Sequence, residues 1–505
     1  MSIEIKRQTS SSVIRNVFYG SLTWLLPLGL SFAATPIIVR SLGNSDYGIY
    51  ALVLGFIGYS FTFNLGRPIT KYIAEFRVTG ESQRIREVIS ASLFLNIVFG
   101  VLAVVVICSL APWLVRSVFK IEQDSQDKTI WALYLASAII FLSMLNQILS
   151  SVIQGVQRFD IYSKVTTASS FALIGGNLVL AYLGYGLLVL LAWNLAVLGI
   201  FCVVLGVAAG RLLPEFTLRL KFSGETLRMV LSFSTATIFY QIFANVLFLF
   251  ERGWITQRLG TDDLTHYVVP MALAMQLQAF ISSLVLVVFP LASELKNEKE
   301  KLLGLYLKAT KAVLFIVAFI VGSVIVQSGI FLSLWMGEDF SRQSSLLLIL
   351  HIVCFGMISV MSISWQMTEG LGHPIFNTIA IAVSTTIGVT LMILLIGKYG
   401  NPGIALARLT AFAVIFLSVF YIERWFFKHV QVRFWLNLGA FLAIATALAA
   451  LVEYGINLAL SPSWPAFLLS VVCGGAVYCF VLWLLGFVTA DEKMLAKRLL
   501  SRQGV

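Results

Sequence analysis

Residues 42–50 read L-G-N-S-D-Y-G-I-Y, and residues 259–267 read L-G-T-D-D-L-T-H-Y. Leu, Gly, Asp and Tyr occupy the same four places in both stretches. Each stretch is a short polar turn between two long apolar runs. The match favours an internal duplication, and a chance similarity between two short turns is the alternative. A duplication predicts two related halves within one chain.

The composition indicates an integral membrane protein. Of 505 residues, 59% are hydrophobic and 12% are charged, whereas soluble domains are about half apolar and a quarter charged. The apolar runs are continuous and long enough to cross the hydrocarbon core as helices, and they lack the alternation of membrane β-strands. The net charge of +11 is attributed to an excess of Lys and Arg in cytoplasmic loops and not to nucleic-acid binding. The five cysteines lie in apolar runs and form no metal or disulfide pattern.

The apolar runs predict about fourteen transmembrane helices. The first is interpreted as an uncleaved helix rather than a signal peptide, because its apolar run continues through residue 39. With the N-terminus in the cytoplasm, roughly three times as many Lys and Arg residues lie on the inner side, so both termini are expected there. The predicted spans are 17–39, 47–66, 88–110, 130–153, 166–184, 186–210, 229–256, 266–291, 310–331, 344–367, 375–397, 403–422, 434–458 and 466–488.

The two turns follow the first and seventh predicted spans. Because an offset of six crossings is even, both copies enter the membrane in the same sense, which is a parallel repeat. The sequence therefore predicts an all-α integral membrane protein with two pseudo-symmetric six-helix bundles, at 1–210 and 211–428. Residues 429–505 add two transmembrane helices and a cytoplasmic tail. Transporters built from such repeats bind substrate between their halves.

Charged residues at membrane depth are candidates for function, because an ionised side chain there is costly. Glu251 and Arg252 lie in the seventh span and are interpreted as a cavity-facing charge cluster in the outer half of the protein. The alternative is that the helix ends at residue 250 and leaves both outside. Arg408 and Glu453 are interpreted as anchors or helix–helix links.

Basic residues near the ends of two spans are candidates for contact with an anionic headgroup. Arg67 and Lys71 end the second span, share one helix face, and could meet such a group from the cytoplasm. Arg40, at the outer end of the first span, could contact the anionic headgroup when it is released. The alternatives are ordinary positive-inside flanking for the first two and a snorkelling anchor for Arg40. The basic stretch 67–87 could also lie against anionic membrane lipids.

Amide side chains cluster on two predicted spans. Asn146 lies with two glutamines on the fourth span, and Gln241 and Asn245 lie on the seventh. Amides suit sugar hydroxyls because each offers donors and an acceptor. The alternative is that they join helices within the membrane.

The sequence contains no pattern typical of catalysis. A phosphate-binding loop, a nucleophile elbow and a metalloprotease helix motif are all absent. We therefore expect no enzyme activity, no cofactor, no metal and no ATP hydrolysis by this chain.

Several motifs resemble the polysaccharide-transport flippases of the Wzx type. This family belongs to a superfamily that also contains the lipid II flippase and multidrug exporters. The similar stretches occur in order along most of the chain: P-I-I-V-R-S-L-G-N-S-D-Y-G-I-Y (36–50), N-L-G-R-P-I-T-K-Y-I-A-E (64–75), F-E-R-G-W-I-T-Q-R-L-G (250–260), L-V-V-F-P-L-A-S-E-L (286–295) and G-N-P-G-I-A-L-A (400–407).

The resemblance implies a two-lobed transporter of the bacterial cytoplasmic (inner) membrane, with a central cavity. The implied substrate is a polyprenyl-pyrophosphate-linked oligosaccharide, carried from the inner to the outer leaflet for O-antigen, capsule or exopolysaccharide synthesis. The expected partners are this substrate, membrane lipids, and the polymerase and chain-length regulator of an assembly complex. Arg67 and Arg252 are expected to contact the diphosphate, and Glu251 to set the local geometry. A multidrug or cation antiporter and a non-transporting scaffold are the alternatives.

Overall fold

The computed structural model describes residues 27–61, 66–216, 220–285 and 288–487, and within these ranges it contains helices and turns but no strand. Two π-helical turns, Leu114–Val118 and Tyr421–Phe426, extend α4 and α14. The α-helices are α1 (Pro27–Leu42), α2 (Asn44–Phe61), α3 (Gly66–Thr79), α4 (Ser82–Trp113), α5 (Gln123–Gly155), α6 (Phe159–Tyr182), α7 (Leu187–Leu212), α8 (Gly224–Leu259), α9 (Thr261–Val285), α10 (Val288–Glu294), α11 (Lys299–Met336), α12 (Glu338–Gly370), α13 (Pro374–Ala413), α14 (Phe416–Phe420), α15 (Val432–Ala459) and α16 (Trp464–Leu484).

The predicted class, an all-α membrane protein, is confirmed. In the described ranges, ten helices are long and apolar enough to cross a membrane. The α13 segment is two helices joined at a kink, because Gly400 has φ 56° and ψ −139°. This kink falls between the eleventh and twelfth predicted spans. The count of fourteen spans stays a prediction, and the first ten residues of the first predicted span lie outside the described residues.

The chain divides into two compact units, and the division falls inside α9, between Thr265 and His266. In the first unit, α5 packs against α3, α4 and α7, and α8 packs against α2 and α4. In the second unit, α12 packs against α11 and α13, and α15 packs against α11 and α16. The predicted bundle limits at residues 210 and 428 stay predictions.

The core of the first unit lies where α3, α4, α5 and α7 meet. Burial against lipid gains little hydrophobic free energy, so helices in a membrane associate through close van der Waals contact and small residues. Glycines provide that close contact here. A Cβ atom on Gly155 of α5 would lie 2.9 Å from the Cβ atom of Ile73 on α3. One on Gly66 of α3 would lie 2.1 Å from the Ser151 hydroxyl on α5.

The two copies of the repeated stretch have the same local structure. In each copy a glycine with positive φ separates two helices, Gly43 at 77° and Gly260 at 103°. Glycine suits this position because other residues rarely adopt positive φ. Gly337, between α11 and α12, repeats the conformation of Gly260 with φ 105°. The sequence did not indicate this further turn.

The two repeated turns are in direct contact within the first unit. The Ser45 and Thr261 hydroxyls are 2.8 Å apart. The Thr265 hydroxyl donates to the Asn44 carbonyl oxygen at 2.6 Å. At the closest point, a Cβ atom on Gly48 would lie 1.8 Å from the carbonyl oxygen of Thr261. The first copy of the turn therefore fits against the second with no room for a side chain at residue 48.

The first copy also links α2 to three other helices. Asp46 forms an ion pair with Lys128 of α5. The Tyr50 hydroxyl accepts hydrogen bonds from the side-chain amides of Asn177 on α6, at 3.4 Å, and Asn194 on α7, at 3.2 Å. Two of the four residues that match between the copies therefore join helices, which agrees with a structural rather than a ligand-binding turn.

Candidate functional site

A cavity of about 630 Å³ lies inside the first unit, between α3, α5 and α6. All three helices contribute polar side chains to its wall. The lining residues are Gly66, Thr70, Lys71, Ser143, Asn146, Gln147, Ser150, Ser151, Gln154, Tyr162 and Thr166.

Helix α5 provides one continuous polar stripe of the wall. The residues recur at intervals of three and four, which places them on one face of an α-helix. From first to last the stripe runs about 16 Å along the helix axis. Its members are Ser143, Asn146, Gln147, Ser150, Ser151 and Gln154.

Two buried amide oxygens of the stripe have no hydrogen-bond donor among the described residues. The Asn146 side chain donates to the carbonyl oxygens of Leu142 at 2.9 Å and Leu198 at 3.1 Å, which fixes the amide orientation. Its Oδ1 atom, and Oε1 of Gln147, accept no hydrogen bond in this part of the chain. A buried acceptor left without a donor costs about 1–3 kcal/mol. Both oxygens have almost no exposed surface in this structure, so a ligand that brings hydroxyl or amide hydrogens would gain affinity here once a side-chain movement turns them toward the cavity.

Helix α3 closes one side of the cavity. Because Gly66 has no side chain, the start of α3 lies directly against Ser151, and the Thr70 hydroxyl is 3.2 Å from the Ser151 carbonyl oxygen. The residue after Thr70, Lys71, is exposed, and its Nζ atom is 4.8 Å from the centre of the Tyr72 ring. The cavity therefore has neutral polar walls and a cation at its rim.

The charges of the lining limit the class of ligand. Among the described residues that line the cavity, Lys71 is the only charged one, and none carries a carboxylate. A site for organic cations needs an anionic partner or an aromatic cage. The lining suits a hydroxyl-rich ligand, neutral or with a negative group near the rim. No group of three or more His, Cys, Asp or Glu residues in the described ranges could hold a metal ion.

A second feature of the first unit is the buried cation of α8. The Arg252 side chain is only 7% exposed, and its guanidinium carbon lies 4.9 Å from the centre of the Tyr59 ring. Its Nη1 atom donates to the Phe248 carbonyl oxygen at 3.3 Å. A Cβ atom on Gly55 of α2 would lie 2.3 Å from Nε. Because α8 continues to residue 259, Glu251 also lies within the helix, and it is fully buried.

Two predicted site residues of α8 lie along one face with Arg252. Gln241 and Asn245 precede Arg252 by eleven and seven residues, so they share its side of the helix. Both are half-buried. Glu251 lies about 100° around the helix from Arg252.

The other predicted site residues divide between the cavity and the surface. Lys71 and Asn146 meet in the cavity, although the sequence placed them on different spans. Arg40 is exposed near the end of α1. Arg67 lies in α3, next to a cavity residue, and its side chain is outside the described residues.

Sequence reasoning missed the hydroxyl groups of the cavity. The serines of α5 complete the stripe begun by its amides, and their three- and four-residue spacing from Asn146 is the signal that would have found them. The residues on α3 and α6 had no such signal, because their proximity depends on packing. The missed lining residues are Thr70, Ser143, Ser150, Ser151, Tyr162 and Thr166.

Comparisons with known proteins identify the family and the fold of this chain. A sequence profile of the family described as polysaccharide biosynthesis protein matches residues 37–345. A putative O-antigen transporter of Shigella flexneri is 21% identical over 405 residues, an alignment that covers 78% of this chain and 94% of the relative.

Two solved structures share the fold. The lipid II flippase MurJ, in an inward closed conformation, superposes with a TM-score of 0.71 at 15% identity, covering 93% of this chain and 99% of that one. An inward-facing multidrug resistance transporter of the MATE family, in the MOP superfamily, gives 0.69 at 16% identity, covering 80% and 97%. This chain therefore belongs to the polysaccharide biosynthesis protein family and has the fold of the MOP superfamily transporters.

Proposed function

We propose that this protein is a flippase that carries polyprenyl-pyrophosphate-linked oligosaccharides from the inner to the outer leaflet of the bacterial cytoplasmic membrane. The product would serve the synthesis of a surface polysaccharide. The observation that carries the proposal is the polar cavity of the first unit, whose described lining residues include amide acceptors and no carboxylate. Family membership, and relatives named as an O-antigen transporter and a lipid II flippase, support the same class.

The saccharide would be bound by groups that exchange hydrogen bonds with hydroxyls. In this proposal Asn146 accepts from sugar hydroxyls on the α5 stripe, beside the second open acceptor of Gln147. Gln241 and Asn245 would offer further amides along α8. Binding sites recognise polar ligands through a few precisely positioned polar groups, because a ligand hydroxyl that is buried without a hydrogen-bond partner costs free energy.

The diphosphate would be bound by basic side chains. Arg67 and Arg252 would contact it, Lys71 would attract it at the cavity rim, and Glu251 would set the local geometry. Arg252 is held by ring contacts in this structure, so its engagement would require it to leave Tyr59. Arg40 would meet the headgroup at release.

Transport would proceed by alternating access, with both termini in the cytoplasm. The orientation is supported by the excess of Lys and Arg on one side of the predicted spans. In this scheme the paired turns at Gly43 and Gly260 lie at the outer surface, and their contact closes that side. Opening the contact would then expose the substrate to the outer leaflet.

The experiment is substrate flipping in reconstituted vesicles. Wild-type protein is compared with the variants Arg67→Ala and Arg252→Ala, and with Arg84→Ala, an exposed arginine outside the site, as a matched control. We expect both site variants to insert normally and to flip substrate at least tenfold more slowly, while the control is unchanged. Native rates in both site variants would refute the assignment of the diphosphate contacts. Flipping by no variant, the wild type included, would favour a scaffold role.

A further inference from the structure

A second buried carboxyl group lies in the second unit, where α11, α15 and α16 meet. Glu453 of α15 has no exposed surface. It lies six residues before the end of α15, so it is about 9 Å inside the helix end. At this depth an ionised carboxylate is costly unless a cation or several donors compensate it.

The contacts of Glu453 are with neutral groups. The Ser323 hydroxyl on α11 is 2.6 Å from Oε1, and Nε2 of Gln327 is 3.4 Å from Oε2. Gln327 also donates to the Ser470 hydroxyl on α16 and accepts from Asn457 at 3.0 Å. The cluster therefore joins three helices through one carboxyl group and one amide.

No cation compensates the carboxyl group in the described part of the chain. None of the ion pairs there includes Glu453, and each of its polar partners is a hydroxyl or an amide. A donor amide at 3.4 Å is at the long end for a hydrogen bond. One hydroxyl and one long amide are too little to stabilise a full negative charge away from water.

The other titratable groups on the three helices do not provide a positive charge next to the Glu453 carboxyl group. Lys311, the nearest basic residue along α11, lies about 18 Å below the hydroxyl that contacts the carboxyl group. Helix α16 contains no Asp, Glu, Lys, Arg or His, and the hydroxyl of its Tyr478 donates to a backbone carbonyl of α11. On α15, Tyr454 is exposed.

A proton compensates this group better than a metal ion. The amide of Gln327 points its hydrogens at the carboxyl group, and these would repel a bound cation. A Cβ atom on Gly474 of α16 would lie only 2.5 Å from Oε1, so the backbone of α16 already fills that side. A proton needs no additional space. With Oε1 protonated, it can donate to Ser323 at the same 2.6 Å, and the serine can donate to its own helix backbone.

We propose that Glu453 is a proton-binding site, and that its protonation controls how firmly α15 and α16 dock on α11. The carboxylate takes one proton from water to become a neutral acid and returns it to water on release, with no other change in bonding. The neutral form keeps the three helices together. The ionised form draws water into the contact and loosens it. This inference does not depend on which substrate the protein carries.

Another buried carboxyl group of the second unit, at the start of α15, provides a matched control. Glu423 is also buried, and it accepts hydrogen bonds from the Tyr306 hydroxyl at 2.9 Å, the Trp435 indole N–H at 2.6 Å and the Gln431 backbone N–H at 2.8 Å. These donors satisfy both of its carboxyl oxygens. Glu423 therefore joins the start of α15 to α11, outside the Glu453 cluster.

The test is thermal unfolding of the full-length protein in detergent between about pH 5 and about pH 9, a range that avoids ordinary carboxyl titration. Wild type and Glu453→Gln should melt together at the lowest pH. As pH rises, the melting temperature of the wild type should fall about 5 °C below that of the Gln variant, because only the wild type places a charge in the contact. Glu423→Gln should melt lower than wild type at every pH and keep the same pH-dependent fall.

Two further variants make the result independent of how well Glu453→Gln folds. Ser323→Ala removes a donor from the ionised form, so the fall should begin at a higher pH. The pair Gly322→Cys and Thr446→Cys would form a disulfide, since their Cβ atoms would be 3.6 Å apart. Because this disulfide links α15 to α11 covalently, it should reduce the pH-dependent fall in melting temperature. Parallel melting curves for wild type and Glu453→Gln, or an unchanged fall in Ser323→Ala or in the locked pair, would overturn the proposal.

Discussion

The contact between the two repeated turns can be opened by one methyl group. In Gly48→Ala, the new Cβ atom would lie 1.8 Å from the Thr261 carbonyl oxygen and 2.7 Å from its carbon. Carbon and oxygen atoms that are not bonded approach to about 3.3 Å, so the turns must separate by about 1.5 Å. The hydrogen bond between Ser45 and Thr261, now 2.8 Å, would then exceed the usual limit and be lost.

The expected size of the effect follows from two contributions. Overpacking of a tight contact costs about 1–3 kcal/mol, and the lost hydrogen bond about 1 kcal/mol. Their sum, about 2–4 kcal/mol, corresponds to a roughly 30- to 1,000-fold shift toward the separated arrangement. Gly58→Ala is the matched control, because Gly58 lies on the same helix with nothing within 4 Å of its Cβ position.

Cysteine labelling measures the separation. Thr265 is fully buried at the contact, so a Thr265→Cys substitution in a background free of the five native cysteines reports its opening. We expect a membrane-impermeant maleimide to label this cysteine at least roughly 30-fold faster with Gly48→Ala than with Gly58→Ala. Equal labelling rates in two variants that insert equally well would show that the turns do not rely on this close fit.

Three further outcomes follow from the contacts described. Gln147→Leu removes a buried acceptor from the cavity and should lower the transport efficiency of the oligosaccharide about tenfold, whereas Gln83→Leu, at an exposed position, should not. Asp46→Asn breaks an ion pair with Lys128 whose partners are 23% and 34% exposed, so thermal unfolding should show a loss of about 1 kcal/mol or less that disappears in high salt. Glu423→Ala leaves three donors without their acceptor, of which the Tyr306 hydroxyl is fully buried, and should cost about 2 kcal/mol or more in denaturant unfolding; a variant as stable as wild type would contradict these hydrogen bonds.

The sequence predicted the class of fold because length and apolar content decide it. A membrane helix must satisfy its backbone hydrogen bonds within itself, so a long apolar run has few alternatives. The repeated turn could also be predicted, since a turn that requires positive φ between two helices favours glycine, and the glycine is visible in the sequence. The direct contact between the copies was not readable. It depends on how the start of α2 packs against the start of α9, and no local spacing in the sequence indicates this packing.

The candidate site was only partly predictable for the same reason. Asn146 was identified as an amide at membrane depth, and its spacing from the serines of α5 belongs to one helix. Its proximity to Lys71 depends on a close approach of α3 to α5 at Gly66. The charge on Arg252 was visible in the sequence, whereas its ring partner Tyr59 comes from another helix. Pairs within one helix follow from spacing, and pairs between helices require the packed structure.

The central claim concerns the class of substrate, and one competition experiment tests it most directly. Vesicles containing the wild-type protein receive a polyprenyl-pyrophosphate-linked oligosaccharide in one leaflet and a fluorescent organic cation inside. The arrival of sugar in the opposite leaflet and the loss of the cation are followed together. The proposed function predicts protein-dependent movement of the oligosaccharide and none of the cation, because the described residues that line the cavity include amide acceptors and no carboxylate. Export of the cation with the oligosaccharide left in place would contradict it.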